Sequence, residues 1–208
     1  MPIISAGGAG GGSGSVTTMK KVTAKAVSGT VTETDLLNGQ FTLGTPALGA
    51  TGILTLDLWG DYVQNIANNT ALPVLKVKLG SSVLFQWQPL LNIAQSLQSA
   101  SRWGWNYRCI IANANATNSQ TASISGMWAF STASTGSPGA NASTITTGEG
   151  SHSLVYFAGG GVGVEYLHAY NSSSVDMTAS QAVTFTTTNG TASTPYDITL
   201  RGALLTIF

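Results

Sequence analysis

Residues 101–112, SRWGWNYRCIIA, constrain the fold more than any other segment of the chain. Trp103, Trp105, Tyr107, Cys109 and Ile111 occupy alternate positions, with Arg102, Asn106 and Arg108 between them. Side chains of a strand point to opposite faces with a period of two, so an extended backbone puts all five apolar groups on one face. A helix would scatter them around its axis. The same period recurs elsewhere. In 52–60, Leu54, Leu56 and Leu58 oppose Thr55, Asp57 and Trp59; in 121–131, Ala122, Ile124, Trp128 and Phe130 oppose Thr121, Ser123 and Ser125. In 74–79, Leu75, Val77 and Leu79 oppose Lys76 and Lys78, and Gly80-Ser81-Ser82 reads as the turn into a return strand over 83–88.

The remaining segments are weaker. Residues 16–32 alternate loosely through Val16, Val22, Val27 and Val31. Residues 89–100 carry leucines at helical spacing and read either as a short helix or as a loop crossing one end of a sandwich. Residues 132–150 are small, polar and turn-rich, and are expected as a long surface loop. A short strand, a glycine run and a second apolar stretch fill 153–170, and strands are expected over 176–188 and 195–208. In the last of these, Ile198, Leu200 and Leu204 share one face while Ala203, Leu205 and Ile207 make the other face apolar too, as in a strand buried on both sides. About eight strands at this spacing, without helical crossovers, predict an all-β fold: an antiparallel eight-stranded jelly-roll sandwich.

Residues 5–15, SAGGAGGGSGS, are a flexible Gly/Ser tract. No strand precedes the tract and no βαβ unit surrounds it, which argues against a phosphate-cradling loop. The expected division is a flexible Gly-rich N-terminal arm over 1–29 and a jelly-roll domain over 30–208. Pro2, Ile3 and Ile4 give the arm an apolar tip suited to docking on a neighbouring subunit.

Composition bounds the function. Lys and Arg number 8, Asp and Glu number 8, and the net charge is +0; at 8% of residues, charge is far below the roughly 25% of an ordinary domain. Charged groups supply most acids, bases and ligands, so catalysis is not expected, and a charge-poor surface suits contact with other protein. Lys20, Lys21 and Lys25 are the nearest approach to a basic cluster, too small a footprint for nucleic acid. There is one cysteine, Cys109, so no intrachain disulfide can form; its place on an aromatic stripe reads as a small buried hydrophobe. No secretory signal pattern and no apolar run near 20 residues is present, which predicts synthesis in the cytoplasm and no membrane partner.

His152 and His168 sit in no metal-ligand spacing, and the carboxylates (Glu33, Asp35, Asp57, Asp61, Glu149, Glu165, Asp176, Asp197) carry no local acid-base motif. No catalytic residue, metal site or cofactor is assigned. Of the five tryptophans, Trp103 and Trp105 belong to the core stripe. Trp59 stands opposite the leucines of its strand and is open to either reading, core or surface. With Tyr62 it forms the candidate ligand platform, because binding sites gather at the ends of sandwiches.

Taken in order, the Gly-rich start, LTLDLWGDYVQN…LPVLKVKLGSSVLF, SRWGWNYRCIIANA, TASISGMWAFST and the closing TPYDITLRGALLTIF resemble the small jelly-roll proteins of tailed-bacteriophage virions. These include capsid decoration (cement) proteins, head-fibre proteins and related tail receptor-binding modules. The resemblance spans about 30–208. It implies a TNF-like homotrimer with no catalytic motif, located in the virion after synthesis in the host cytoplasm. The implied partner is the major capsid protein or another virion protein. The expected function is capsid decoration; the alternative is a tail or fibre receptor-binding module, with carbohydrate as its ligand. Candidate subunit or capsid contacts are Pro2, Ile3 and Ile4 on the arm and Ala203, Leu205 and Ile207 on the last strand.

Overall fold

Alternation in the sequence becomes strand in the structure wherever it is strict. The computed structural model describes residues 16–64, 73–89, 99–131, 144–156, 162–189 and 196–208. Fourteen strands run through them. They are β1 (Thr17–Lys21), β2 (Lys25–Ser28), β3 (Thr34–Asp35), β4 (Thr42–Leu43), β5 (Ile53–Gln64), β6 (Val74–Leu79) and β7 (Ser82–Gln88), followed by β8 (Ser99–Asn113), β9 (Gln120–Ser131), β10 (Thr144–Thr147), β11 (Glu149–Tyr156), β12 (Val162–Ser173), β13 (Gln181–Thr188) and β14 (Tyr196–Ile207). None of the described residues is helical.

Two antiparallel sheets form a jelly-roll sandwich. The larger has eight strands in the order β1-β14-β5-β8-β9-β12-β11, with β2 also pairing β14. The smaller has six, in the order β10-β7-β6-β13-β3, with β4 also on β13. Three hairpins, β6–β7, β8–β9 and β11–β12, stay within a sheet, while the connections between them cross from one sheet to the other. The β6–β7 hairpin turns at Gly80, whose φ of 58° favours a residue without a Cβ. The expected all-β antiparallel sandwich is present, with more strands than the eight counted from pattern: the loosely alternating 16–32 holds two strands, β1 and β2, and the short β3, β4 and β10 carry too few alternating residues to register.

The core lies between the sheets. Leu54, Leu56 and Leu58 of β5, Trp105, Tyr107, Cys109 and Ile111 of β8, and Ile124, Trp128 and Phe130 of β9 come from the larger sheet. Leu75, Val77 and Leu79 of β6, Phe85 and Trp87 of β7, and Val183 and Phe185 of β13 come from the smaller. Aromatic rings join the two layers. Trp87 meets Tyr107 edge-on at 4.9 Å, and Trp105 reaches Phe185 at 5.6 Å.

Three expectations change. Residues 17–21 and 25–28, assigned to the flexible arm, are strands paired to β14, so the larger sheet takes in part of the 1–29 segment. The loop expected over 132–150 contains β10 and the start of β11 at its C-terminal end; 132–143 lie outside the described residues. The expected helix or loop at 89–100 falls largely on 90–98, also outside them, but Ser99 and Ala100 open β8.

The last strand holds the most instructive difference. Its register against β5 shifts between Leu200 and Gly202. Such a bulge inserts one residue and reverses which parity faces the core. Ile198 and Leu200 before it, and Ala203 and Leu205 after it, are therefore all buried against the same core. Ile207 packs against that core from the rim. Ala203 and Leu205 are covered by their own chain and Ile207 is partly buried, which removes the second apolar face expected of this strand as a subunit contact.

Candidate functional site

The outer face of the larger sheet carries a group of exposed aromatic and charged side chains. Pairing aligns them in rows across the strands. One row runs Gly202–Trp59–Asn106–Met127–Tyr166 from β14 to β12. The next runs Leu204–Asp57–Arg108–Ser125–His168, and the third Thr206–Thr55–Ile110–Ser123–Tyr170. The two ends of this face differ in chemistry.

On the β14–β5–β8 side, charges are paired. Arg108 donates from Nε to Asp57 Oδ1 at 2.6 Å and from Nη2 to Oδ2 at 3.2 Å, a two-pronged fork on one carboxylate. Hydrogen bonding and charge from Asp57 raise the Arg108 pKa. Further along, Asp61 is held by the Nε groups of both Arg102 and Arg201, and Arg102 reaches Asp197 at 3.0 Å and Thr199 Oγ1 at 2.6 Å. Burial alone would raise the Asp61 pKa; hydrogen bonds from Arg201 and Arg102 outweigh it and hold the carboxyl below its ordinary value. These carboxylates are committed to guanidinium partners.

Trp59 stands among them, 42% exposed. Its indole lies across Gly202 of the neighbouring strand. A Cβ on Gly202 would come within 2.6 Å of Cε2 and 3.0 Å of Nε1, so the glycine is what lets the ring lie down on the sheet. Beside it, Asp57, Trp59, Asn106, Arg108, Ser125 and Gly126 line a shallow depression of about 450 Å³. Asn106 and Ser125 are both exposed there.

The β9–β12–β11 side sets exposed apolar and aromatic groups among serines and is nearly uncharged. Met127 is exposed, Tyr166 is 47% and Tyr170 56% exposed, and Val155 stands at the β11 edge. His168 meets Tyr170 edge-on at 4.6 Å. Glu149, opposite Tyr170 on β11, is the acidic group at this margin.

The sequence-derived site residues separate. Trp59 is on the surface, whereas Tyr62 is 1% exposed, stacked on Trp128 at 4.3 Å with its hydroxyl donating to the Ala129 carbonyl. Tyr62 is thus a core residue and not half of a platform. The signal was present: position 62 continues the inward parity of 54, 56 and 58. Pro2, Ile3 and Ile4 lie outside the described residues. The pairing of Asp57 with Arg108, and of Asp61 with Arg102 and Arg201, joins residues 41 to 140 positions apart, and no local pattern announces it. Likewise Glu165 is buried on the inner face of β12, paired with Nδ1 of His152 on β11.

No family model matches the chain, and no curated protein does. Among solved structures it is similar to the CBM2 module of the evolved Dit of Lactobacillus casei BL23 phage J-1, at 7% identity and a TM-score of 0.34, over 79% of this chain and 66% of that one. It is similar to peanut lectin at 6% identity and TM-score 0.31, over 94% and 98%. It also overlaps the structure of infectious bursal disease virus, Gx strain, at 8% identity and TM-score 0.27, over 92% of this chain and 39% of that one. Overlaps this loose assign no role, and the function is argued from the side chains.

Proposed function

We propose that this chain is a structural virion protein, a homotrimeric capsid decoration subunit held on a phage head by contacts to the major capsid protein. One observation carries this reading: on the outer sheet face Ile110, Met127, Val155, Tyr166 and Tyr170, each 38% to 56% exposed, stand among neutral serines, with Glu149 at the margin. Clustered exposed apolar and aromatic groups, depleted of charge, mark surfaces that another protein covers. In a chain with only 8% charged residues, little else disfavours self-association. The sequence resemblance to trimeric phage jelly rolls supplies the threefold arrangement, and the N-terminal arm with Pro2, Ile3 and Ile4 supplies the reach onto the capsid.

Light scattering on the purified protein tests the assembly. The expected mass at micromolar concentration is three times the 21.3 kDa of one chain. The double substitution Met127→Glu, Tyr166→Lys places charge in the centre of the patch and should yield a folded monomer. A wild-type monomer would refute the trimer. Deleting residues 1–15 should abolish binding to isolated phage heads while leaving the unfolding transition in place; undiminished decoration would remove the arm from the mechanism.

A further inference from the structure

We propose that the Trp59 depression, beside the apolar half of the face, is a binding site for a neutral pyranose sugar. The two regions adjoin on one sheet: the depression runs from Trp59 on β5 to Ser125 and Gly126 on β9, where Met127 begins the apolar half.

The chemistry follows from what surrounds the indole. A pyranose presents an apolar C–H face and a rim of hydroxyls. Trp59 offers a flat ring with one face toward solvent, immobilised because Gly202 lets it rest on the backbone of β14. Rigid aromatic area gives contact at low conformational cost. Asp57 and Arg108 stand one row away with their orientations already fixed by the two-pronged pair, so donor and acceptor positions exist before any ligand arrives. Asn106, next to Trp59 in its row, adds an exposed amide that can both donate and accept.

Charge selects the class. Asp57 cancels Arg108 within the depression, and no unpaired cation faces it among the residues that line it. An anionic sugar or phosphate would find no net attraction, whereas hydroxyls can bridge both members of the pair. The depression is open and its volume of about 450 Å³ lies within the range of small-ligand sites. A shallow open site implies weak binding per subunit, on the order of 1 mM, strengthened when several copies engage one polysaccharide.

The experiment is a glycan array of neutral hexose- and N-acetylhexosamine-terminated oligosaccharides with anionic glycans alongside, followed by titration of the best neutral ligand against the full chain. Wild type should bind a neutral glycan. Trp59→Ala should weaken it at least tenfold, and Trp59→Tyr should retain part of it. Gly202→Ala should also weaken it at least tenfold, because the new Cβ lifts the indole while Asp57 and Arg108 stay in place. Circular dichroism and solution mass, both unchanged in the Trp59 variants, separate loss of the site from loss of the fold or the assembly. Failure of wild type to bind any neutral glycan, preference for anionic glycans alone, or full binding by Trp59→Ala would each overturn the proposal.

Discussion

Gly60→Ala should damage this protein far more than a single methyl group suggests. Gly60 lies on β5 with the inward parity of Leu58 and Tyr62, between Leu200 of β14 and Trp105 of β8. A Cβ there would stand 2.7 Å from Trp105 Cε2 and closer still to Cζ2 and the Thr199 carbonyl oxygen, where ordinary contact begins near 3.4 Å. Neither neighbour can retreat. Trp105 is 2% exposed and packed against Trp128 at 6.2 Å, Tyr107 at 6.0 Å and Phe185 at 5.6 Å. Thr199 belongs to a strand paired on both sides, by β2 and β5. Overpacking of a core usually costs 1–3 kcal/mol, and because backbone must move here the expected loss is about 3 kcal/mol. For a chain of this length that lowers the melting midpoint by about 6–12 °C. Gly104→Ala is the matched control. It pairs with Asp61 next to Gly60, and the nearest heavy atom to its added Cβ is 4.0 Å away. Restricting the unfolded chain at no native cost should stabilise the protein by about 0.4–1 kcal/mol. Denaturant titrations at one fixed protein concentration measure both, since self-association would otherwise contribute. Gly60→Ala within about 1 kcal/mol of wild type, or Gly104→Ala equally damaging, would refute the packing argument.

Glu33 gives an acid-sensitive contribution. Hydrogen bonds from Lys76 and then Lys78 push its pKa down from 4.5 to about 2, so its stabilisation is complete above pH 4.5 and is lost as pH falls toward 2. Glu33→Gln should lower stability at neutral pH by at most about 1 kcal/mol, because the pair is partly exposed, and should flatten the pH dependence of the denaturation midpoint between 4.5 and 2. An unchanged acid limb would argue against the pair. Cys109 is buried, and burial pushes its thiol up to about 12. Iodoacetamide at pH 8 should leave it unmodified until the protein is unfolded, as read by mass spectrometry; rapid native labelling would contradict its placement. Gln120 is 1% exposed; it donates to Asn113 Oδ1 and the Val175 carbonyl, both at 3.0 Å, and accepts from the Val175 amide at 2.9 Å. Gln120→Leu strands those partners in the core and should cost about 3 kcal/mol in a denaturant titration; a near-neutral result would show that the network carries no net stability.

Legibility in the sequence tracked the range of the interaction. The stripes on β5, β6, β8 and β9 were readable because each is a local two-residue period, and every buried member named from those stripes except the rim residue Trp103 is in the central core. Tyr62 obeys the same rule, but the alternation read over 52–60 stops short of it. Exposure of Trp59 was only half readable: parity placed it opposite the leucines, but whether another layer covers that face is not a local property. Ala203, Leu205 and Ile207 misled for a different reason. Counting by twos assumes an unbroken pleat, and the bulge before Gly202 breaks it.

By itself, then, the sequence determined the class of fold, the members of the central stripes and the scarcity of charge, because each follows from spacing or composition. Tertiary structure alone decided which face of the last strand is buried, which aspartate meets which arginine, and that Trp59 rests on Gly202 beside a neutral ion pair. Those outcomes depend on register between strands up to 140 positions apart, where a shift of one residue exchanges inside for outside.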